Sequence, residues 1–548
     1  MTVLSLPWCA HVLLPLAVAS VLLVSCGGTD EQEVPRGTIG FVSGALGVIS
    51  VEEPQAALVA RDVLSAGGTA ADAATAIGFT LSVTMPSSAS LGGGGVCIAR
   101  DGRGEKPVVI DFLPRTPKNA STNTERPSAI PSMPRGLFLL HSRFGVLKWE
   151  RVVAPAENLA RFGFNIPRAF ASEFSKVQDV LLRDTAMAGV FRRQDGSPVS
   201  EGSFLKQAEL ASVLGRIRIR GVGEFYIGND AKNLAEAVQR AGGSLSFEDL
   251  RDYRPEIREP ISFSWEKGSS WHFAGPPSTG GGVAAETMAI LMADMLFEDA
   301  DKIEREHLLV EAAKRAFVER MKNLQADGTY RESSQQRVGE DYVDTVTDNI
   351  ADNKATPLTS LIATPVDWPE TPSAISFAVM DIAGGAVACT LTMNNLFGTG
   401  RMADGYGIVL AAAPDARGRT FTPLGPALLT NETNNRAYLA AAASGGVTAP
   451  TSLANVLARA AAGPQTLADA MRAPRTHYAG VPDKVFVETE MPEEIVSALR
   501  AYGHDVVRTN SIGRVAAVFC PSGIPVKENL SCSSATDPRG FGIALGGN

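Results

Sequence analysis

Residues 374–394 read AISFAVMDIAGGAVACTLTMN, and the reading of this stretch decides the fold class. Ala374–Asp381 is strand-like, Ile382–Gly385 is a turn, and Ala386–Asn394 alternates strictly. Val387, Cys389, Leu391 and Met393 share one parity, and Thr390, Thr392 and Asn394 share the other. Alternation with period two marks a β-strand whose faces meet different surroundings. The stretch therefore predicts a hairpin with one core face and one hydroxyl-rich face.

Outward from the hairpin, strands and helices interleave. Gly47–Val51 reads as a strand. A helix follows, with Pro54 in its first turn and Gly67-Gly68 past its end, the usual asymmetry of helix termini. A second helix, about Ala70–Val83, carries Ala and Leu on most faces and is expected to be buried. Val96–Arg100 and Pro107–Phe112 read as strands joined by a turn at Asp101–Gly104. Helices alternate with loops over 130–330, and Pro276–Gly282 opens a long helix through Met295. Residues 331–372 are polar, acidic and aperiodic, and read as a loop or linker. Helices near Leu453–Ala462 and Pro492–Tyr502 complete a layered α/β pattern.

Composition narrows the function classes. The chain has 548 residues, 45% of them apolar and 20% charged, which excludes global disorder. Length alone suggests about three or four domains. Net charge is −9 and no basic stripe is present, so a nucleic-acid partner is not expected. The 53 glycines are more than average usage predicts, and they cluster at Gly92–Gly95, Gly280–Gly282 and Gly445–Gly446. Such clusters mark tight turns and close backbone approach. Only six His are present and no CxxC or HExxH motif, so no cofactor and no protein-ligated metal are expected.

The N-terminus points to the cell envelope. Residues 12–25 form an apolar run too short for a membrane span but suited to a signal-peptide core. Leu23-Val24-Ser25-Cys26 follows the pattern of a bacterial lipobox, with Cys26 as the lipidated residue, although residues 1–11 hold no Lys or Arg. Residues 1–26 thus read as a lipoprotein signal and 27–42 as a flexible polar tether. Gly27, not Asp, after Cys26 favours the periplasmic side of the outer membrane. Cys97 and Cys389 lie in apolar strand-like runs and read as core thiols. Cys520 and Cys532 flank a Pro/Gly loop, and an oxidising envelope would permit a disulfide between them.

An ordered set of motifs resembles the γ-glutamyltranspeptidases, a branch of the N-terminal nucleophile (Ntn) hydrolases. They are Glu53-Pro54-Gln55-Ala56-Ala57, the run from Ala66 to Ala74, Leu91–Gly95, Asp111-Phe112 and Pro276–Gly281. Later come Asn394–Gly400, Ser444-Gly445-Gly446, Ala473-Pro474-Arg475 and Asp537-Pro538-Arg539. The resemblance covers about residues 43–545. It implies a four-layer αββα sandwich and a proenzyme cut once, into segments 43–372 and 373–548 that stay associated. The length then reads as one large α/β unit behind a lipid tether. In this family a hydroxyl attacks the carbonyl before it and frees its own α-amine. That amine has a pKa of about 8 and can serve as base for the adjacent hydroxyl, so no His is required. The implied reaction is acyl-enzyme hydrolysis or transfer on a γ-glutamyl or similar small amide, glutathione-like in size.

The departures fall at the chemistry. Counting back from Asp381, Thr392 and Asn394, the family's catalytic Thr falls on Ala374, which carries no nucleophile. Ser373 is one residue off register, and a one-residue bulge at the strand start would bring it in. Thr371 needs a three-residue shift, and Ser376 lies inside the strand. The Arg that usually follows Asp-Phe is Leu113, with Arg115 two residues on, and Arg115 is the candidate for a substrate carboxylate. The Asp for the substrate amine aligns with Ala416, and Asp415 stands beside it. Gly425-Pro426 replaces a Ser-Ser pair. These changes weaken the expectation of glutamyl specificity. Gly445 and Gly446 match the oxyanion-hole glycines, and Thr392 and Asn394 match residues that support the nucleophile. The expected function is an Ntn amidohydrolase with Ser373 as nucleophile. The alternative is a non-catalytic relative serving as a binding or structural lipoprotein.

Overall fold

The computed structural model describes residues 46–118, 120, 124, 126–325, 329–367, 373–414, 423–525 and 531–546. The signal, the tether with Cys26, Thr371 and Asp415 lie outside the described residues. Thirteen strands matter for the site: β1 (Gly47–Val51), β2 (Gly94–Arg100), β3 (Val108–Phe112), β4 (Glu256–Arg258), β5 (Ile261–Trp265), β6 (Ser269–Phe273), β7 (Ser373–Asp381), β8 (Ala386–Asn394), β9 (Ala427–Asn431), β10 (Arg436–Ser444), β11 (Arg514–Ile524), β12 (Ser533–Ala535) and β13 (Ile543–Leu545). They form a seven-stranded sheet, β13-β1-β7-β8-β2-β3-β4, and a six-stranded sheet, β12-β11-β10-β9-β6-β5. Every pairing in both sheets is antiparallel.

Side-chain parity sorts the chain into four layers. On the first sheet Ile375, Phe377, Val387, Cys389 and Leu391 join a core with helices α1 (Pro54–Ser65) and α2 (Ala70–Thr84). The opposite parity, Ala374, Ala378, Met380, Ala386 and Ala388, packs against Leu428, Ala440, Ala442 and Val518 of the second sheet. The far face of that sheet, with Trp271, Phe273, Leu439 and Ala441, buries against α3 (Thr279–Met292), α4 (Lys302–Asn323) and α5 (Ala449–Ala461). The order is helix, sheet, sheet, helix, as expected. Small residues dominate the middle layer because two pleated sheets must approach to about 10 Å.

The hairpin ends are set by local chemistry. Asp381 accepts the N–H groups of Ala383 and Gly385 at 2.9 and 3.0 Å, which closes the β7–β8 turn. Its second oxygen accepts the Ala70 N–H at 2.7 Å, pinning the turn to the start of α2. Glycines of the Leu91–Gly95 run let β2 lie tight on β8: a Cβ on Gly93 would fall 2.6 Å from the Thr392 carbonyl oxygen.

Thr390 and Thr392 are fully buried, because the hydroxyl-rich face lies between the sheets. Three expectations are corrected. The helix after Pro276–Gly282 stops at Met292, since Asp294 and Met295 take left-handed backbone (φ 44° and 59°). Part of 331–372 is ordered, with short helices at Glu340–Thr347 and Leu358–Leu361. Cys97 and Cys389 are not free thiols but a disulfide, as they stand opposite each other in the β2–β8 register. Cys520–Cys532, which the sequence only permits, is a disulfide.

Candidate active site

The start of β7 is the centre of the candidate site. Thr392 pairs with Ala374 and Asn394 pairs with Ser373, so Met393 is an extra residue on β8. This is a one-residue bulge, carried by β8 and not by β7, and it puts Asn394 in left-handed backbone (φ 62°). The Thr392 hydroxyl donates to the Ser373 carbonyl oxygen at 2.6 Å. It also accepts the Asn394 N–H at 2.9 Å, and the Asn394 side-chain amide donates to Ala412 O at 2.8 Å. Thr392 and Asn394 both lie against the start of β7.

Ser373 and Ala374 face opposite ways. Ala374 points into the layer between the sheets. The Ser373 hydroxyl donates to Ser87 O at 3.2 Å, in the segment that follows α2. Ser376 shares the Ala374 face, with its hydroxyl 3.3 Å from that of Thr390.

Sequence reasoning missed two charged residues here. Glu52, just past β1, accepts the Ser376 N–H at 2.9 Å and the Ser444 hydroxyl at 2.7 Å. Its other oxygen meets Arg514 Nε at 2.7 Å. Burial pushes the Glu52 carboxyl above its ordinary value, and Arg514 and the two hydrogen bonds offset this only in part. Arg514 Nη2 donates to Ala374 O at 3.4 Å and lies 3.8 Å from Glu173. The pair ties the ends of β1, β7, β10 and β11 to one another. A Glu next to a helix cap and an Arg at a strand start give no signal in sequence, since four strands must assemble before they meet.

Gly445 and Gly446 follow β10 and have φ of 130° and 66°. Both lie in the left-handed region that glycine tolerates best. A Cβ on Gly445 would fall 2.7 Å from Gly513 Cα. The two glycines precede α5, so the positive end of its dipole favours negative charge at this corner. The motifs around Arg475 and Asp537 brace the same corner. Arg475 donates to Ile512 O at 3.0 Å and to Asp537 at 2.6 Å, and Asp537 accepts the Val515 N–H at 2.8 Å.

Arg115 is already committed. Its guanidinium lies 2.7 Å from Glu256 and 3.3 Å from Asp111. Arg258 shares both carboxylates. The neighbouring Thr116 hydroxyl donates to Pro414 O at 2.6 Å, which brings the Arg115 loop beside the chain leading to Asp415.

The chain shows no histidine cluster along the sequence, yet the fold builds one. Polar atoms of His307, Glu311 and His504 lie within 4.8 Å of one another. Glu311 already pairs with Lys314 at 3.1 Å and Arg315 at 2.6 Å. Burial alone would raise its carboxyl, but Lys314, Thr356 and Arg315 outweigh burial and hold it at about 2. A dication would add to two buried cations there, so the donor set fits an ion-pair network better than a metal centre.

Comparison with known proteins agrees with this architecture. A family model described as gamma-glutamyltranspeptidase matches residues 56–547. The chain belongs to the γ-glutamyltranspeptidase family. The glutathione hydrolase proenzyme of Escherichia coli strain K12 is 28% identical over 96% of this chain and 97% of its own length. The acylase ACY 1 proenzyme of Pseudomonas sp. strain V22 is also 28% identical, over 88% of this chain and 91% of its own. Among solved structures, a cephalosporin acylase from Bacillus halodurans superposes with a TM-score of 0.77 at 23% identity, covering 94% of this chain and 99% of its own. The γ-glutamyltranspeptidase of Helicobacter pylori gives 0.52 at 25% identity over 56% of this chain and 92% of its own. The fold is that of the Ntn hydrolases, and family membership carries the enzyme class, a γ-glutamyltranspeptidase-type hydrolase.

Proposed function

We propose that this family member cuts its own chain once, before Ser373, and then acts on γ-glutamyl or similar small amides such as glutathione, by hydrolysis or transfer through an acyl-enzyme. The observation that carries the choice of Ser373 is the Thr392 hydroxyl, which bonds the backbone of Ser373 and faces only a methyl group at Ala374.

The chemistry follows from the residue types. The Ser373 hydroxyl attacks the Pro372 carbonyl, and the peptide bond becomes an ester as the amine is released. Water then hydrolyses that ester, leaving a carboxylate on Pro372 and a free amine and hydroxyl on Ser373. The amine, with a pKa of about 8, takes the hydroxyl proton when substrate is attacked. The Gly445 and Gly446 N–H groups are assigned to the developing oxyanion. The Ser373 side chain now sits on the helix side of its sheet, so it must turn toward the gap between the sheets. Release of its amine from a peptide bond permits that rotation. Arg115 and Asp415 are assigned to the substrate's carboxylate and amine, with Arg115 giving up part of its pairing to Glu256. Cys26 is assigned to lipidation, which would hold the enzyme on the periplasmic side of the outer membrane.

A reducing denaturing gel with N-terminal sequencing of the smaller fragment tests the processing. The fragment is expected to begin at Ser373, and Ser373→Ala is expected to leave the chain whole. An uncut wild-type chain overturns the proposal. Metabolic labelling with a radioactive fatty acid tests the anchor, and loss of label in Cys26→Ser is the expected result.

A further inference from the structure

Cys97 and Cys389 are joined as a disulfide and lie 292 residues apart in the chain. The start of β7 falls between them. We infer that this bond is a covalent tether between the two chains produced by processing, so that the mature enzyme is one cross-linked molecule. The inference rests on the processing proposed above only for the existence of two chains; the bond itself stands on strand register.

The register leaves little choice of partner. Cys97 on β2 is directly opposite Cys389 on β8, with Cα atoms 4.1 Å apart. Directly opposed residues at a non-hydrogen-bonded site approach to about 4.5 Å, within reach of a disulfide. Both residues are fully buried in the core shared with α1 and α2, out of reach of reductants in solution. Cys520 and Cys532 are both C-terminal to Ser373 and cannot join the fragments. To form the tether, two thiols give up two electrons and two protons to a protein disulfide of the oxidising envelope, which is reduced to its dithiol.

The tether has a functional consequence. In the first sheet, β7 and β8 belong to one fragment, and their neighbours β1 and β2 belong to the other. A cross-link in the β2–β8 pair keeps the site assembled however dilute the enzyme becomes, because the second fragment can never leave.

The experiment has two arms. Full-length protein from an oxidising periplasm is alkylated and digested without reductant, then mapped by mass spectrometry. A peptide bearing Cys97 linked to one bearing Cys389 is expected, and alkylated Cys97 and Cys389 overturn the inference. In the second arm, residues 368–371 are exchanged for a site-specific protease sequence, so that cutting does not depend on self-processing. After cutting, one band is expected without reductant and two with it. Two bands without reductant overturn the tether. The double variant Cys97→Ser with Cys389→Ser should give two bands in both lanes, a readout that needs no folded protein. Failure of self-processing shows separately, as an uncut wild-type chain under reducing conditions.

Discussion

Two corners meet at the candidate site, and they differ in what holds them. The corner at Gly445-Gly446 is braced by a fully buried Arg475, by Asp537 and by Arg539, which also pairs with Glu488. The start of β7 is held by other groups, the Glu52–Arg514 pair and the Thr392 hydroxyl on the Ser373 carbonyl. There Ala374 stands across from Thr392, and the sequence resemblance puts the family's nucleophile at Ala374 and its recognition residues at Leu113 and Gly425-Pro426. The charged residues behind Gly445-Gly446 bond the start of β11 and the chain before it, so they serve the fold. The Ala374 and Leu113 side chains are apolar, so changing them removes no side-chain hydrogen bond.

The largest effect that would break this comparison is expected from Asp537→Ala. It leaves the Arg475 guanidinium buried and unpaired, at a cost of about 3–5 kcal/mol. Thermal or denaturant unfolding should show that loss, and a change below about 1 kcal/mol would mean that the corner is not braced as described. Ala374→Thr should sharpen the comparison from the other side. It returns a hydroxyl to the face opposite Thr392, and the cut is expected to move to the 373–374 bond, as read by N-terminal sequencing. A chain that stays uncut, or is cut elsewhere, would show that the loss extends beyond one side chain. Gly446→Ala forces a side chain into φ 66° and should cost about 1–3 kcal/mol. A drop in turnover of at least about tenfold should accompany it if the oxyanion donors shift; an unchanged rate would remove these glycines from the chemistry.

The smallest effect concerns pH. Burial raises the Glu52 carboxyl, so the folded chain binds that proton more tightly than the unfolded chain does. Its contribution to stability is therefore greatest at low pH and falls as pH rises above its ordinary value of 4.5. Glu52→Gln should flatten that part of the profile of melting temperature against pH. An unchanged slope would assign the titration to another group.

Much of this was legible in the sequence, and the rest fails for definable reasons. β1 is legible to the residue as a β-run, and α1 is bracketed by its first-turn proline and a terminal Gly-Gly. The glycine clusters marked real close approaches because steric exclusion is local. The Cys97–Cys389 pairing was not legible, since it depends on the register of strands 292 residues apart. The same holds for Glu52 with Arg514 and for Arg115 with Glu256, whose partners are chosen by strand adjacency. The opposed faces of Ser373 and Ala374 follow from strand parity alone, because a shift of one residue exchanges the two faces of a strand. The bulge needed to reconcile register with chemistry does exist, but on β8, where Asn394 bends, so it does not turn Ser373 inward.

Ser373 opens a strand with β1 on one side and β8 on the other, in the middle of a seven-stranded sheet. Chain ends ordinarily fray, because they sit at a surface with few neighbours. An amino terminus created here is held against β8 as soon as it exists, through the Ser373 carbonyl and Thr392. With that carbonyl as a pivot, the amine and hydroxyl of the proposed terminus would turn together while the strand stays in place.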